Sequence, residues 1–129
     1  MVHRIEEAVA KGDLDALDGL YAADMVDHNP FPEQVPGLEG LKQKVSALGA
    51  AFSEMHTTVD FLVTEGSLVV DHWTSTARHT GEFMGIPPSV EHMSVTGISI
   101  YRFEEGKVVE EWTEFDGIGM LAQMGVLPE

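Results

Sequence analysis

The spacing of hydrophobic and polar positions changes period once along this chain. Up to about Phe52 apolar residues recur three and four apart, and from His56 to Phe115 they alternate. Ile5, Ala8 and Val9 share one face of a first helix over residues 2–11, which Gly12 ends. Asp13 reads as the N-cap of a second helix that carries Leu14, Leu17, Leu20 and Tyr21 on one side. The stretch 22–37, punctuated by Pro30, Pro32 and Pro36, predicts a loop. A third helix over 38–52 buries Leu41, Val45, Leu48 and Phe52. Strands at 56–64 and 68–78 meet at the turn 65–67, and a long connection follows over 79–88. A strand beginning at Val90 then enters a hairpin with arms at 98–103 and 108–115 around a charged turn, and a short helix closes the chain from about Ile118. Helices first and a long antiparallel sheet behind predict one α+β domain over 1–129, its twisted sheet curling round a helix and leaving a conical hollow for a small ligand.

Alternation also assigns faces. It groups Val108, Glu110, Trp112, Glu114 and Asp116 on one side of the last strand, and Ile98, Ile100 and Arg102 on one side of its neighbour. A tryptophan and a carboxylate four residues apart then point the same way, where a pocket with an acid/base would be built. Strand 68–78 carries polar residues on both faces, with His72 and Thr74 opposed to Asp71, Trp73 and Ser75. Either one set lines a cavity or one face meets water.

Composition narrows the partners. The 129 residues include 22 acidic and 7 basic side chains, a formal net charge of −15 that disfavours nucleic acid and anionic membranes. Without cysteine, disulfide and thiolate chemistry are excluded. No apolar run approaches the roughly 20 residues of a membrane span, and the charged amphipathic start has no signal-peptide core, so a cytoplasmic location is expected. His28, His72, His79 and His92 lack the close paired spacing of metal ligands, and there is no phosphate loop or nucleophile elbow. Neither a metal nor a cofactor is expected.

Several segments carry a resemblance: residues 26–30 (VDHNP), 36–42 (PGLEGLK), 79–83 (HTGEF), 86–88 (IPP), and Glu111-Trp112 through Asp116 to Gly125. Together they resemble the SnoaL-like polyketide cyclase family, within the nuclear-transport-factor-2-like α+β cone superfamily. The resemblance implies a curved sheet enclosing a pocket, a homodimer, and cofactor-free intramolecular aldol cyclisation of an aromatic polyketide ester. It places the family's acid/base aspartate on Asp116. The second pocket position, a histidine in studied cyclases, falls on Arg102, and His72 precedes Trp73 where many relatives carry arginine.

Each candidate has two readings. Asp116 is either the acid/base, its carboxyl raised by Trp112, Phe115 and Ile118, or the N-cap of the following helix. Arg102 is either an oxyanion clamp or one half of an ion pair with Asp116 or Glu114. His72 is a second candidate for steadying an enolate, Trp73 and Trp112 would wall the cavity, and His28 and His79 would position polar substituents at its mouth. The expected chemistry is proton transfer α to a carbonyl of a small hydrophobic molecule, by cyclisation or isomerisation. A ligand-binding module of the same fold, or a hydrolase or dehydratase using the same pocket, is the alternative.

Overall fold

The computed structural model describes residues 1–89 and 91–126, so the predicted strand start at Val90 lies outside it. Its elements are α1 (Val2–Lys11), α2 (Leu14–Leu17), β1 (Tyr21–Asp27), α3 (Gly37–Ala51), β2 (Phe52–Glu65), β3 (Leu68–His79), β4 (His92–Glu104), β5 (Lys107–Phe115) and α4 (Gly117–Gln123). Gly12 ends α1 in the left-handed conformation (φ 67°), and the Asp13 carboxylate caps α2 by accepting the Ala16 N–H at 3.2 Å.

The five strands form one sheet in the order β1-β5-β4-β3-β2, with β4 at its centre. Four strands form an antiparallel meander, but β1 pairs parallel with β5. Residues 22–27 were expected in a loop and Tyr21 on the second helix, which instead ends at Leu17. Proline punctuation begins only at Pro30, and Tyr21, Ala23, Met25 and Asp27 alternate just ahead of it. The helices lie against the inner face of the sheet. Ile5, Leu17, Tyr21, Met25, Val45, Tyr101 and Val108 form one core there, each with at most 2% exposure.

Irregularities in the strands decide which side chains face inward. Between Arg102↔Glu110 and Phe103↔Val108, β5 holds one extra residue, Val109. A bulge of this kind reverses the facing of everything beyond it. Val108 is fully buried, yet from there on it is Glu111, Thr113 and Phe115 that share the inner face with Tyr101, Ser99 and Gly97. A second extra residue, Asp60, does the same in β2, turning Phe61 outward opposite His72.

Gly97 serves this inner wall. A Cβ at this position would stand 2.2 Å from the Trp73 ring, so the indole lies directly over bare backbone. Trp73 there donates its Nε1–H to Ser99 Oγ at 3.0 Å. Gly97→Ala should therefore push the indole off the wall. Trp73 fluorescence should shift, and thermal unfolding should show a loss of about 1–3 kcal/mol, the usual cost of overpacking. An unchanged spectrum and midpoint would contradict this packing.

Candidate functional site

Between the inner sheet face and the helices α1 and α3 lies a cavity of about 220 Å³. One end is apolar, lined by Phe31, Phe52, Met55, Phe83, Met93 and Met120. The polar end is assembled from every side: Glu6 on α1, Tyr21 on β1, Lys44 on α3, Trp73 on β3, Ser99 and Tyr101 on β4, and Glu111 and Thr113 on β5. Phe115, also in the lining, is 44% exposed and marks where the cavity reaches the surface.

Glu111 is the central acid of this wall. It is 6% exposed, and its carboxylate accepts the Tyr21 hydroxyl in a short hydrogen bond. Burial pushes its pKa up to about 7, although the Tyr21 hydrogen bond and the Lys44 charge both favour the ionised form. Two residues along, the Thr113 hydroxyl meets Ser99 Oγ at 3.1 Å, which itself accepts the Trp73 N–H. A relay of hydroxyls thus ends on the same strand face as the acid.

Lys44 and Asp27 form a pair largely shielded from water, Nζ to Oδ2 2.8 Å, with side-chain exposures of 11% and 4%. Lys44 also donates to the Asn29 carbonyl at 2.8 Å and lies 5.1 Å from the Phe31 ring centre. Burial opposes ionisation of Asp27, but hydrogen bonds from Lys44, Gln34 and the Asn29 N–H outweigh it and keep the carboxyl below its usual range. The pair anchors the 28–31 turn, which follows from the VDHNP stretch at 26–30, against α3.

A second acid, Glu6, meets Asp71 of β3 beneath the cavity. Burial, then the neighbouring Asp71 charge, raises Glu6 to about 9, and Asp71 is raised as well, chiefly by burial. Neither carboxyl has a basic hydrogen-bond partner among the described residues, and the two titrate as a pair rather than singly.

The sequence-predicted site residues fall differently. Trp73 alone of the seven lines the cavity. Asp116 is exposed and caps α4, accepting the Gly119 N–H at 2.8 Å. Arg102 lies on the outer face and pairs with Glu110 (Nε to Oε1 2.7 Å) and Glu104 (Nη1 to Oε1 2.7 Å), not with Asp116 or Glu114. Trp112 is on that face too, stacked on His28 with ring centres 4.4 Å apart, while His28 Nε2 contacts Glu110 at 2.8 Å. His72 faces outward against Phe61 and bonds Asp60 at 3.0 Å. His79 is fully buried behind Phe52, its Nδ1 accepting the Ser89 N–H at 3.2 Å. The extra residue Val109 accounts for Trp112, because uninterrupted alternation from the buried Val108 points it inward. Glu6, Tyr21, Lys44, Ser99, Tyr101, Glu111 and Thr113 were missed. Glu111 lies inside a quoted motif, but without the bulge its strand face reads as solvent.

The sequence profile described as SnoaL-like polyketide cyclase matches residues 1–124. The chain belongs to this family. A search of curated proteins finds no match. Among solved structures it is similar to IdmH of Streptomyces antibioticus, described as a candidate polyketide cyclase, at 35% identity and TM-score 0.83 over 97% of this chain and 96% of that one. TsrD of Streptomyces laurentii is similar at 29% identity and TM-score 0.90, covering 98% and 92%. AclR of Streptomyces galilaeus, described as a candidate hydroxylase, is similar at 26% identity and TM-score 0.84, covering 99% and 84%. This SnoaL-like chain therefore has the predicted α+β cone, with a sheet parallel at one edge. Among its described residues no helix is long and apolar enough to cross a membrane, and no three metal-binding side chains gather to hold an ion.

The buried acids set a pH dependence. Glu6 and Glu111 both bind protons more tightly folded than unfolded, so their contribution to stability is full below about pH 4.5 and is lost as pH rises through about 7 for Glu111 and about 9 for Glu6. The melting temperature should accordingly fall between pH 5 and 9, and Glu111→Gln should flatten the part of that fall below about pH 7. A melting temperature that rises over this range would contradict the assignment.

Proposed function

We propose that this SnoaL-like protein catalyses proton transfer α to a carbonyl in a small, largely apolar molecule, with Glu111 as the base. The observation that carries this reading is a cavity-lining carboxyl, buried, hydrogen-bonded to Tyr21, and titrating near neutrality. A base of that strength is matched to carbon acids at physiological pH. In the forward step the Glu111 carboxylate takes the α-proton. The C–H electron pair becomes the enolate double bond, and the carbonyl oxygen acquires the charge. Thr113, at the end of the Trp73–Ser99 relay, and the Lys44 ammonium are the donors that answer that charge. Attack of the enolate carbon on a second carbonyl of the same molecule closes a ring, and the new alkoxide takes the proton back from Glu111. This is the aldol cyclisation that family membership suggests; reprotonation at another carbon instead would be isomerisation.

A non-catalytic ligand-binding role is the second reading, and one observation favours it: Asp116, where the family's acid/base was placed by resemblance, is spent on capping α4. The two readings differ in an exchange experiment. Incorporation of deuterium at the α-carbon of β-tetralone, followed by NMR in D₂O at pH 7, should be accelerated by the protein. Glu111→Gln should lower that acceleration by about 10²–10⁴, the usual worth of general base catalysis. Asp116→Asn, which preserves a capping oxygen, should leave it unchanged. No acceleration by the wild type would favour the binding role, and loss in Asp116→Asn alone would return the chemistry to that residue.

We further propose a homodimer formed through the outer sheet face. Phe61, Val63 and Ile98 are 55%, 55% and 42% exposed, and His72, Val70 and Trp112 are neighbours on that face. An apolar sheet surface of this kind is ordinarily covered. Sedimentation at micromolar concentration should give twice the chain mass, and Phe61→Glu should reduce it to the single-chain value. A monomeric wild type would overturn this assembly.

A further inference from the structure

The polar end of the cavity has an unequal supply of donors and acceptors. Most of its donors are committed to partners inside the protein: the Tyr21 hydroxyl to Glu111, the Trp73 N–H to Ser99, one of the Ser99 and Thr113 hydroxyls to the other, and two N–H groups of Lys44 to Asp27 and the Asn29 carbonyl. Its acceptors are not so committed. Glu6, 9% exposed and in the cavity lining, has an Oε2 with no donor from the rest of the protein, and both oxygens of the fully buried Asp71 behind it are in the same position. Buried acceptors left open in a cavity wall favour whatever donor enters, because each otherwise forfeits its hydration without compensation.

We propose that the Glu6 end of the cavity is a subsite for a hydrogen-bond-donating head group, amino or hydroxyl, carried by an otherwise apolar ligand. The inference rests on reading the cavity as a small-molecule site and adds the class of molecule. The opposite end, with Phe31, Phe52, Phe83 and Met93, takes the apolar body, and the 220 Å³ between them suits one or two fused rings. An anionic head is disfavoured. Glu6, Asp71 and Glu111 gather three carboxyls there, while the nearest cation, Lys44, is already neutralised by Asp27. The subsite is thus selective in sign as well as in shape.

Calorimetric titration of the full chain with four probes of one body tests this: methylnaphthalene, naphthylmethanol, naphthylmethylamine and naphthoate. The alcohol and the amine should each bind about tenfold or more tightly than methylnaphthalene, as a hydrogen bond to a buried acid provides. Naphthoate should bind more weakly than methylnaphthalene. Glu6→Met should abolish the advantage of both donors, and retained affinity for methylnaphthalene shows that the variant is folded. Naphthoate binding as tightly as the amine, or a donor advantage that survives Glu6→Met, would overturn the subsite. With methylnaphthalene still bound, either result leaves proton transfer by Glu111 standing. Failure of all four probes to bind would overturn the subsite and the small-molecule reading together.

Discussion

One extra residue in β5 governs the interior of this protein. Strand pairing obliges every residue after Val109 to face opposite to the way simple alternation points it. Had Val109 been accommodated in register, Trp112 and Glu114 would have lain over the helices, and Glu111 would have met solvent. The bulge instead carries one carboxyl, one hydroxyl and one phenyl ring into the cavity from a single strand. The parallel partner β1 then supplies Tyr21 to the carboxyl. Burial of Glu111 would be costly without that hydroxyl, since an isolated carboxylate in an apolar wall lacks any compensation for lost hydration.

The acids within the wall divide into two kinds. Asp27 has a lysine and three hydrogen bonds and stays ionised, so it acts as structure, holding the 28–31 turn to α3. Glu6 and Glu111 have no cation of their own, and burial shifts them towards the neutral form. Environment, not residue type, separates the scaffold carboxylate from those able to exchange protons. The outer-face cluster of Arg102, Glu110, His28 and Trp112 belongs with the scaffold. Its groups are satisfied by one another and lie across the sheet from the cavity.

Most of the fold was legible in the sequence. The change of hydrophobic period located the helices and the meander, and Gly12 and Asp13 announced the join between α1 and α2. Strand β1 was not, because its seven residues run straight into a proline-rich turn and their partner, β5, is about 85 residues away. The site was far less legible. Hydrophobic alternation records which faces are buried only while the strand keeps register, and nothing in the residues around Val109 marks the interruption. Glu6 was hidden for another reason: a glutamate on an amphipathic helix ordinarily faces water, and its burial depends on the sheet that folds over it. The aspartate at 116 was read in both its roles, and the visible geometry is the capping one.

The polar end of the cavity has a property that follows from how it is assembled. Tyr21, Glu111, Tyr101 and Trp73 come from four adjacent strands, each presenting one side chain to the same space. Their backbones are tied by the sheet's own hydrogen bonds, so the positions are held independently of what the side chains are. Exchange of one inward residue would alter the chemistry of the chamber while leaving its dimensions to the sheet. Such a scaffold can diversify by point substitution without reinventing its fold, and the relatives described as candidate cyclase and candidate hydroxylase share the same architecture. The sheet acts as a fixed frame with exchangeable fittings, and the reaction is decided by a handful of inward-facing letters.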